Sequence, residues 1–124
     1  MEQLTDLQLA VMTALWAIGE GTVSSVSEEL ARSGRKLAPT TVATLLQRLA
    51  AQGWVALRRE GRQFAYRAKV KQKTAAKGAL ARVVRSFFGG RPSSVAAQLL
   101  ESDDLTVDDL REIRNLLKSR EGGR

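Results

Sequence analysis

The sequence predicts a mainly α-helical chain with one small β-hairpin, arranged as a compact N-terminal unit followed by an all-helical one. Three observations carry this. Apolar residues recur at helical spacing in three successive segments between residues 5 and 53, each bounded by capping residues or glycines. Two short alternating segments then flank a Gly-Arg pair, which is the pattern of a hairpin. From residue 71 helical spacing returns, interrupted at GGRPSS.

The first helix is announced by Thr5-x-x-Gln8, a capping box in which threonine caps the helix and glutamine reaches back. Leu7, Val11, Leu15 and Ile18 follow at helical spacing, and Gly19 and Gly21 stop the helix. The second helix is TVSSVSEELARSG. Thr22 caps it, Val23, Val26 and Leu30 form its apolar face, and Gly34 ends it. In the third, PTTVATLLQRLAAQG, Pro39 takes the first turn, where a missing N–H costs nothing. Val42, Leu45, Leu46 and Leu49 make one stripe, and Gly53 is the stop. WVALRRE then places Val55 and Leu57 on one side and Arg58 on the other. After the Gly-Arg turn, QFAYRA returns with Phe64 and Tyr66 on one face. Three helices followed by a basic hairpin give the layout of a winged helix-turn-helix, closing near residue 70.

The second unit, residues 71–124, reads as three helices. The first places Ala76, Leu80, Val83, Val84 and Phe87 on one face. The second, VAAQLLES, is short and apolar, with Val95 and Leu99 among its residues. Thr106-x-x-Asp109 caps the third, with Leu110, Ile113 and Leu117 in register. About fifty residues cannot bury much core alone. The apolar positions Leu80, Val84, Phe87, Val95, Leu99, Leu110, Ile113 and Leu117 therefore need another surface. The same unit of a second chain is the simplest supplier, making this a dimerisation tail; the alternative cover is residues 1–70.

Composition narrows the function. The 124 residues contain neither histidine nor cysteine, which removes disulfides, thiolate or imidazole metal ligands, Ser-His-Asp triads and cysteine nucleophiles. No metal, cofactor or enzymatic activity is expected. No apolar run approaches the ~20 residues needed to span a bilayer, and the acidic start lacks signal-peptide character, so a cytoplasmic protein without membrane insertion is expected. The net charge of +7 is unevenly placed. Residues 1–31 carry five acids and no base, whereas residues 32–69 carry nine bases against Glu60 alone. Residues 71–91 add six bases and no acid, and residues 92–124 hold five bases and seven acids. A basic middle flanked by acidic ends fits a polyanion partner, though a merely solvated basic surface has the same composition.

The third helix favours the polyanion. Threonine is a mediocre helix former, yet Thr40, Thr41 and Thr44 share its first turns. Thr40, Thr44, Gln47 and Arg48 lie opposite the apolar stripe, with Thr41 at its edge, and Glu and Lys are absent from that face. In helix-turn-helix proteins the second helix of the motif enters the major groove with its N-terminal residues toward base edges. Threonine there is short and offers a donor, an acceptor and a methyl that can pack on thymine. The small Ala43 and Ala51 let the backbone approach. Thr40, Thr41, Thr44 and Arg48 are thus the candidates for base readout. The alternative is that Thr40 and Thr41 are weak caps and Thr44 a neutral surface residue. Lys36, Arg58, Arg59 and Arg62 are candidates for contacts to the sugar-phosphate backbone, which add affinity but little sequence information. Phe64 and Tyr66 are read as packing the hairpin on the helices rather than as base-stacking aromatics.

The stretch PTTVATLLQRLAAQGWVALRREGRQFAYRA resembles the BlaI/MecI family of penicillinase repressors, with its T-T-V/I-x-T-L-L-x-R-L-x-x-K-G helix and G-R-x-[FY]-x-Y wing. LTDLQLAVMTALW is similar to the family's first-helix signature L-[ST]-x-x-E-x-x-V-M-x-x-L-W. FFGGRPSSVAAQLLESDDLTVDDLREIRNLL is similar to its dimerisation tail. The resemblance implies a homodimeric winged-helix repressor acting on a dyad-symmetric double-stranded DNA operator, often built from TACA/TGTA half-sites. It also implies control of antibiotic-resistance or cell-wall-stress genes. Recognition-helix contacts would fall on Thr40, Thr41, Thr44 and Arg48, and wing contacts on Arg62 and its neighbours. In the best-known members a membrane sensor-protease pathway leads to cleavage of an Asn-Phe bond in the tail. That bond aligns with Gln98-Leu99, so the chain departs from the pattern at the cut site. A copper-responsive branch with a cysteine-rich C-terminus is excluded by the absence of cysteine. The family's lysine before the glycine is Gln52 here, and its first-helix glutamate is Gln8. Two other readings stay open: an effector-gated regulator with a ligand between wing and tail helices, and a protein-interaction adaptor using the winged fold.

Overall fold

A computed structural model of the chain describes residues 3–122. Among the described residues there are six helices and three short strands, in the order α1 (Asp6–Ile18), β1 (Glu20–Gly21), α2 (Val23–Arg32), α3 (Pro39–Ala51), β2 (Val55–Glu60), β3 (Gln63–Ala68), α4 (Gln72–Phe87), α5 (Pro92–Leu100) and α6 (Val107–Gly122). By contact the chain divides into two compact units, residues 1–79 and 80–124, so the division falls inside α4.

The caps form as the sequence chemistry dictates. The Thr5 hydroxyl accepts the Gln8 N–H at 3.2 Å while Gln8 Oε1 accepts the Thr5 N–H at 3.1 Å. The Thr22 hydroxyl accepts the Ser25 N–H at 3.2 Å and starts α2. Gly19 follows α1 at φ +84°, a conformation a side chain would oppose.

The core of the first unit is built from Val11, Met12 and Leu15 of α1, Val26 and Leu30 of α2, and Val42, Leu46 and Leu49 of α3. Each fully buried aliphatic side chain contributes roughly 1.5–3 kcal/mol of transfer free energy. The predicted α3 stripe is buried in full. The α1 stripe is corrected. Leu7 is 38% exposed, and the buried positions are Gln8, Val11, Met12, Ala14 and Leu15. Helix α1 carries apolar residues on more than one face, so spacing alone does not choose among them. Its packing against α2, α3 and β3 does.

Gln8, the capping glutamine, is thereby buried, and its Nε2 donates to Gln52 Oε1 at 3.1 Å. Gln8 and Gln52, both departures from the resembling family's pattern, are therefore partners. A neutral amide pair joins the start of α1 to the end of α3 where the pattern places Glu and Lys, and it avoids desolvating a charge at position 8.

The hairpin is part of a three-stranded antiparallel sheet of order β1-β3-β2. Glu60 pairs with Gln63, leaving Gly61-Arg62 as a two-residue turn. Gly61 has φ +64°, and no residue other than glycine has a positive φ among the described residues. These signs match a type II′ turn with glycine first, whose twist suits a hairpin. Strand β1 is two residues long and has no periodicity in the sequence. It pairs Glu20 with Arg67 and Gly21 with Tyr66. The Trp16 indole N–H donates to the Val70 carbonyl at 2.9 Å, tying α1 to the chain leaving β3.

In the second unit, α5 starts at Pro92, three residues earlier than the apolar run suggests, with proline in the first turn. Thr106 and Asp109 form a reciprocal capping box ahead of α6, with both bonds at 3.0 Å. This holds the Asp109 carboxyl below the usual carboxylate range. Neither α5 nor α6 has a buried residue. Phe87 is 80% exposed, and Leu80, Leu99, Leu110 and Leu117 are also exposed, while Val84, Val95 and Ile113 are half-buried.

Candidate nucleic-acid interface

The outer face of α3 follows from the burial of its inner one. With Val42, Leu45, Leu46 and Leu49 turned into the core, Thr40, Thr41, Thr44, Gln47 and Arg48 are all exposed. The N-cap is Ala38, which makes no side-chain capping bond, and Pro39 follows it. Thr40 and Thr41 are thus not caps, and their hydroxyls have no hydrogen-bond partner among the described residues. Thr44 differs: its hydroxyl donates to the Thr40 carbonyl at 3.0 Å. Its donor is engaged within the helix, so it presents only a methyl and oxygen lone pairs outward. Ala43 is half-buried and Ala51 exposed, and neither raises bulk on this helix.

Four of the predicted cations remain available. Lys36, in the segment before α3, and Arg48, Arg59 and Arg62 are exposed and enter no ion pair among the described residues. Arg62 sits in the turn itself. Arg59 lies over the Phe64 ring, 5.8 Å from its centroid, across the β2–β3 pair. Tyr66 packs into the core as expected, at 4% exposed. Phe64 does not: it is 40% exposed because it lies one step nearer the hairpin tip, beyond the reach of the helices, and its ring supports Arg59 instead.

Arg58 stands apart from the other wing cations. Its Nε donates to Glu20 Oε1 at 3.2 Å and to Oε2 at 3.1 Å, and Nη2 reaches Glu20 Oε1 at 2.7 Å. Nη2 also reaches Glu60 Oε1 at 3.1 Å. These bonds push the guanidinium pKa further up. The Glu20 carboxyl is held below the usual range, chiefly by hydrogen bonding to Arg58, which desolvation partly opposes and the charges of Arg58 and Arg67 reinforce. Sequence reasoning missed Glu20 because a two-residue strand has no periodicity to detect.

An open groove of about 400 Å³ lies between α1 and α2, lined among others by Asp6, Leu9, Thr13, Glu29 and Arg35. Its two carboxylates disfavour a phosphate backbone. Among the described residues no cluster of three His, Cys, Asp or Glu could hold a metal ion, and no helix is long and apolar enough to cross a membrane.

The chain has relatives along most of its length. The chain is 26% identical over 116 residues to a penicillinase repressor of Bacillus licheniformis, covering 94% of this chain and 90% of that protein. It is 22% identical over 118 residues to the methicillin resistance regulatory protein MecI of Mammaliicoccus sciuri, covering 95% of each. Among solved structures it is similar to the DNA-binding domain of the repressor BlaI, with a TM-score of 0.51 and 29% identity over 58% of this chain and 87% of that one. The fold is a winged helix of the kind DNA-binding domains use, and the six helices and small antiparallel sheet are as the sequence predicts in class. The penicillinase repressor family model matches residues 4–119, and the chain belongs to that family of DNA-binding transcriptional repressors, which are not enzymes.

Proposed function

We propose that the protein is a homodimeric repressor that binds a dyad-symmetric operator and occludes a promoter of antibiotic-resistance or cell-wall-stress genes. The observation that carries this is the exposed Thr40-Thr41-Thr44-Arg48 face of α3, positioned by a fully buried opposite stripe. From Thr40 to Arg48 is eight residues, about 12 Å of helix, which spans roughly three to four base-pair steps of a major groove. In this reading those four side chains set sequence. Lys36, Arg59 and Arg62 contact phosphates, and residues 1–70 form the DNA-binding domain. Residues 71–124 pair two chains through Leu80, Val84, Phe87, Val95, Leu99, Leu110, Ile113 and Leu117. The absence of any buried residue in α5 and α6 supports the pairing, because exposed apolar faces of this extent favour a partner surface. Two recognition helices one DNA turn apart follow from two-fold symmetry. The relatives named for penicillinase and methicillin resistance support the class of target genes. Release through a membrane sensor-protease would act at Gln98-Leu99, in the last turn of α5.

Fluorescence anisotropy with one duplex holding a TACA/TGTA dyad and one scrambled, across a salt series, tests the proposal. Dyad-selective binding by two protomers is expected. Equal, steeply salt-dependent binding to both would mean a different operator. Absence of binding to either would favour the adaptor reading.

A further inference from the structure

We infer that Glu20 is an affinity-limiting residue of the wing. Its carboxylate competes with DNA phosphate for Arg58 and so suppresses sequence-independent binding. The inference rests on the operator-binding reading. A phosphate binds a guanidinium through the same two-pronged geometry as a carboxylate. On Arg58 that fork is already filled by Glu20, with three contacts between 2.7 and 3.2 Å, and Glu60 adds a fourth at 3.1 Å. Two carboxylates engage Arg58, and with Arg67 beside Glu20 the cluster is neutral overall, so Arg58 adds no net positive charge to the wing. It lies on the same strand as Arg59 and next to the turn that carries Arg62, neither of which has an acidic partner among the described residues.

The acid is held in place by the fold. Arg58 pairs across the ladder with Ala65, which is buried and too small to block the guanidinium from reaching Glu20, and Glu20 pairs with Arg67 on the far side of β3. Gly21 seats β1 tightly. A Cβ there would meet Ile18 Cδ1 at 2.6 Å and Ser25 Cβ at 3.1 Å. The carboxylate therefore stands on a fixed backbone, while its ion pair remains in solvent and adds little to stability. Such a pair is better suited to exchanging partners than to holding the fold. Withholding one phosphate contact lowers affinity for all DNA alike, so the sequence-independent part of binding falls while the base contacts of α3 keep their discrimination.

The test is a double-mutant cycle of Glu20→Gln and Arg58→Ala, read by anisotropy on the scrambled duplex over a salt series, with melting temperatures alongside. Glu20→Gln should steepen the log–log salt slope by about 0.9 and tighten scrambled-duplex binding about eightfold near ~0.1 M salt, the yield of one added phosphate contact. In the Arg58→Ala background the same change should give no tightening. Tightening that persists without Arg58 would reflect bulk charge and would overturn the inference. Unchanged binding would overturn it too. Weakened binding with a large fall in melting temperature would overturn it by making the pair a brace for the wing. Wild-type protein that binds neither dyad nor scrambled duplex would instead sink the operator-binding reading itself.

Discussion

Thr44 offers the sharpest test of how bases are read. Its hydroxyl hydrogen is directed at the Thr40 carbonyl, 3.0 Å away, so it is not available to a purine N7, a guanine O6 or a thymine O4. The group that can recognise thymine is the methyl, through contact with the thymine C5-methyl, while the oxygen can only accept from an adenine or cytosine amino group. At about 0.8 kcal/mol per buried methylene-sized group, that contact is worth about 1 kcal/mol, a factor of roughly five in binding. Thr44→Val keeps the methyl and removes the hydroxyl. Thr44→Ser does the reverse. Position 44 is exposed, so either substitution should move stability by no more than about 0.5 kcal/mol. The assay is anisotropy on operator duplexes in which each half-site thymine is replaced in turn by deoxyuridine, which deletes only the methyl. Wild type and Thr44→Val should share a roughly fivefold preference for thymine at one position, and Thr44→Ser should lose it. If Thr44→Ser keeps the preference and Thr44→Val loses it, the reading is through oxygen and the reasoning from the intrahelical bond fails.

Arg62→Ala, at the hairpin turn, should weaken dyad and scrambled duplexes alike and lower the log–log salt slope by about 0.9, while base preference stays unchanged. Because the Glu20 carboxyl is held below its ordinary value in the folded protein, its ion pair stabilises above the ordinary glutamate range. That contribution fades as pH falls through the lowered value. Melting temperatures of wild type and Glu20→Gln should differ slightly near neutral pH and converge in acid; a gap that widens in acid would contradict the assignment. Leu46→Ala removes a fully buried side chain and should cost about 2–5 kcal/mol in chemical denaturation, whereas a cost below 1 kcal/mol would mean the core is not closed around α3. Leu117→Glu should halve the solution mass seen by light scattering if the tail pairs two chains.

Legibility in the sequence tracked how local the signal was. The capping boxes at Thr5 and Thr106, the proline at the start of α3 and the glycine in the hairpin turn all act within four residues, and each took the expected form. The α3 stripe was readable because polar residues on the opposite side made its contrast sharp. Helix α1 lacks that contrast, so spacing points Leu7 inward and marks Gln8 only as a cap, whereas Leu7 is exposed and Gln8 buried. Phe64 and Tyr66 alternate identically in sequence, yet only Tyr66 lies under a helix. The distance from the hairpin tip separates them, and alternation does not record it.

The residue pattern by itself determined the helical class, the hairpin, the family and the exposed threonine face, since each depends on periodicity or on a contiguous motif. Tertiary structure alone decided which cations of the wing are available. Glu20 and Arg58 lie 38 residues apart, and only the pairing of β1 onto β3 brings the carboxylate to the guanidinium. It also joined Gln8 to Gln52 across 44 residues. Long-range pairs of this kind carry no local signature, because what makes them is the packing of elements whose own sequences are silent about each other.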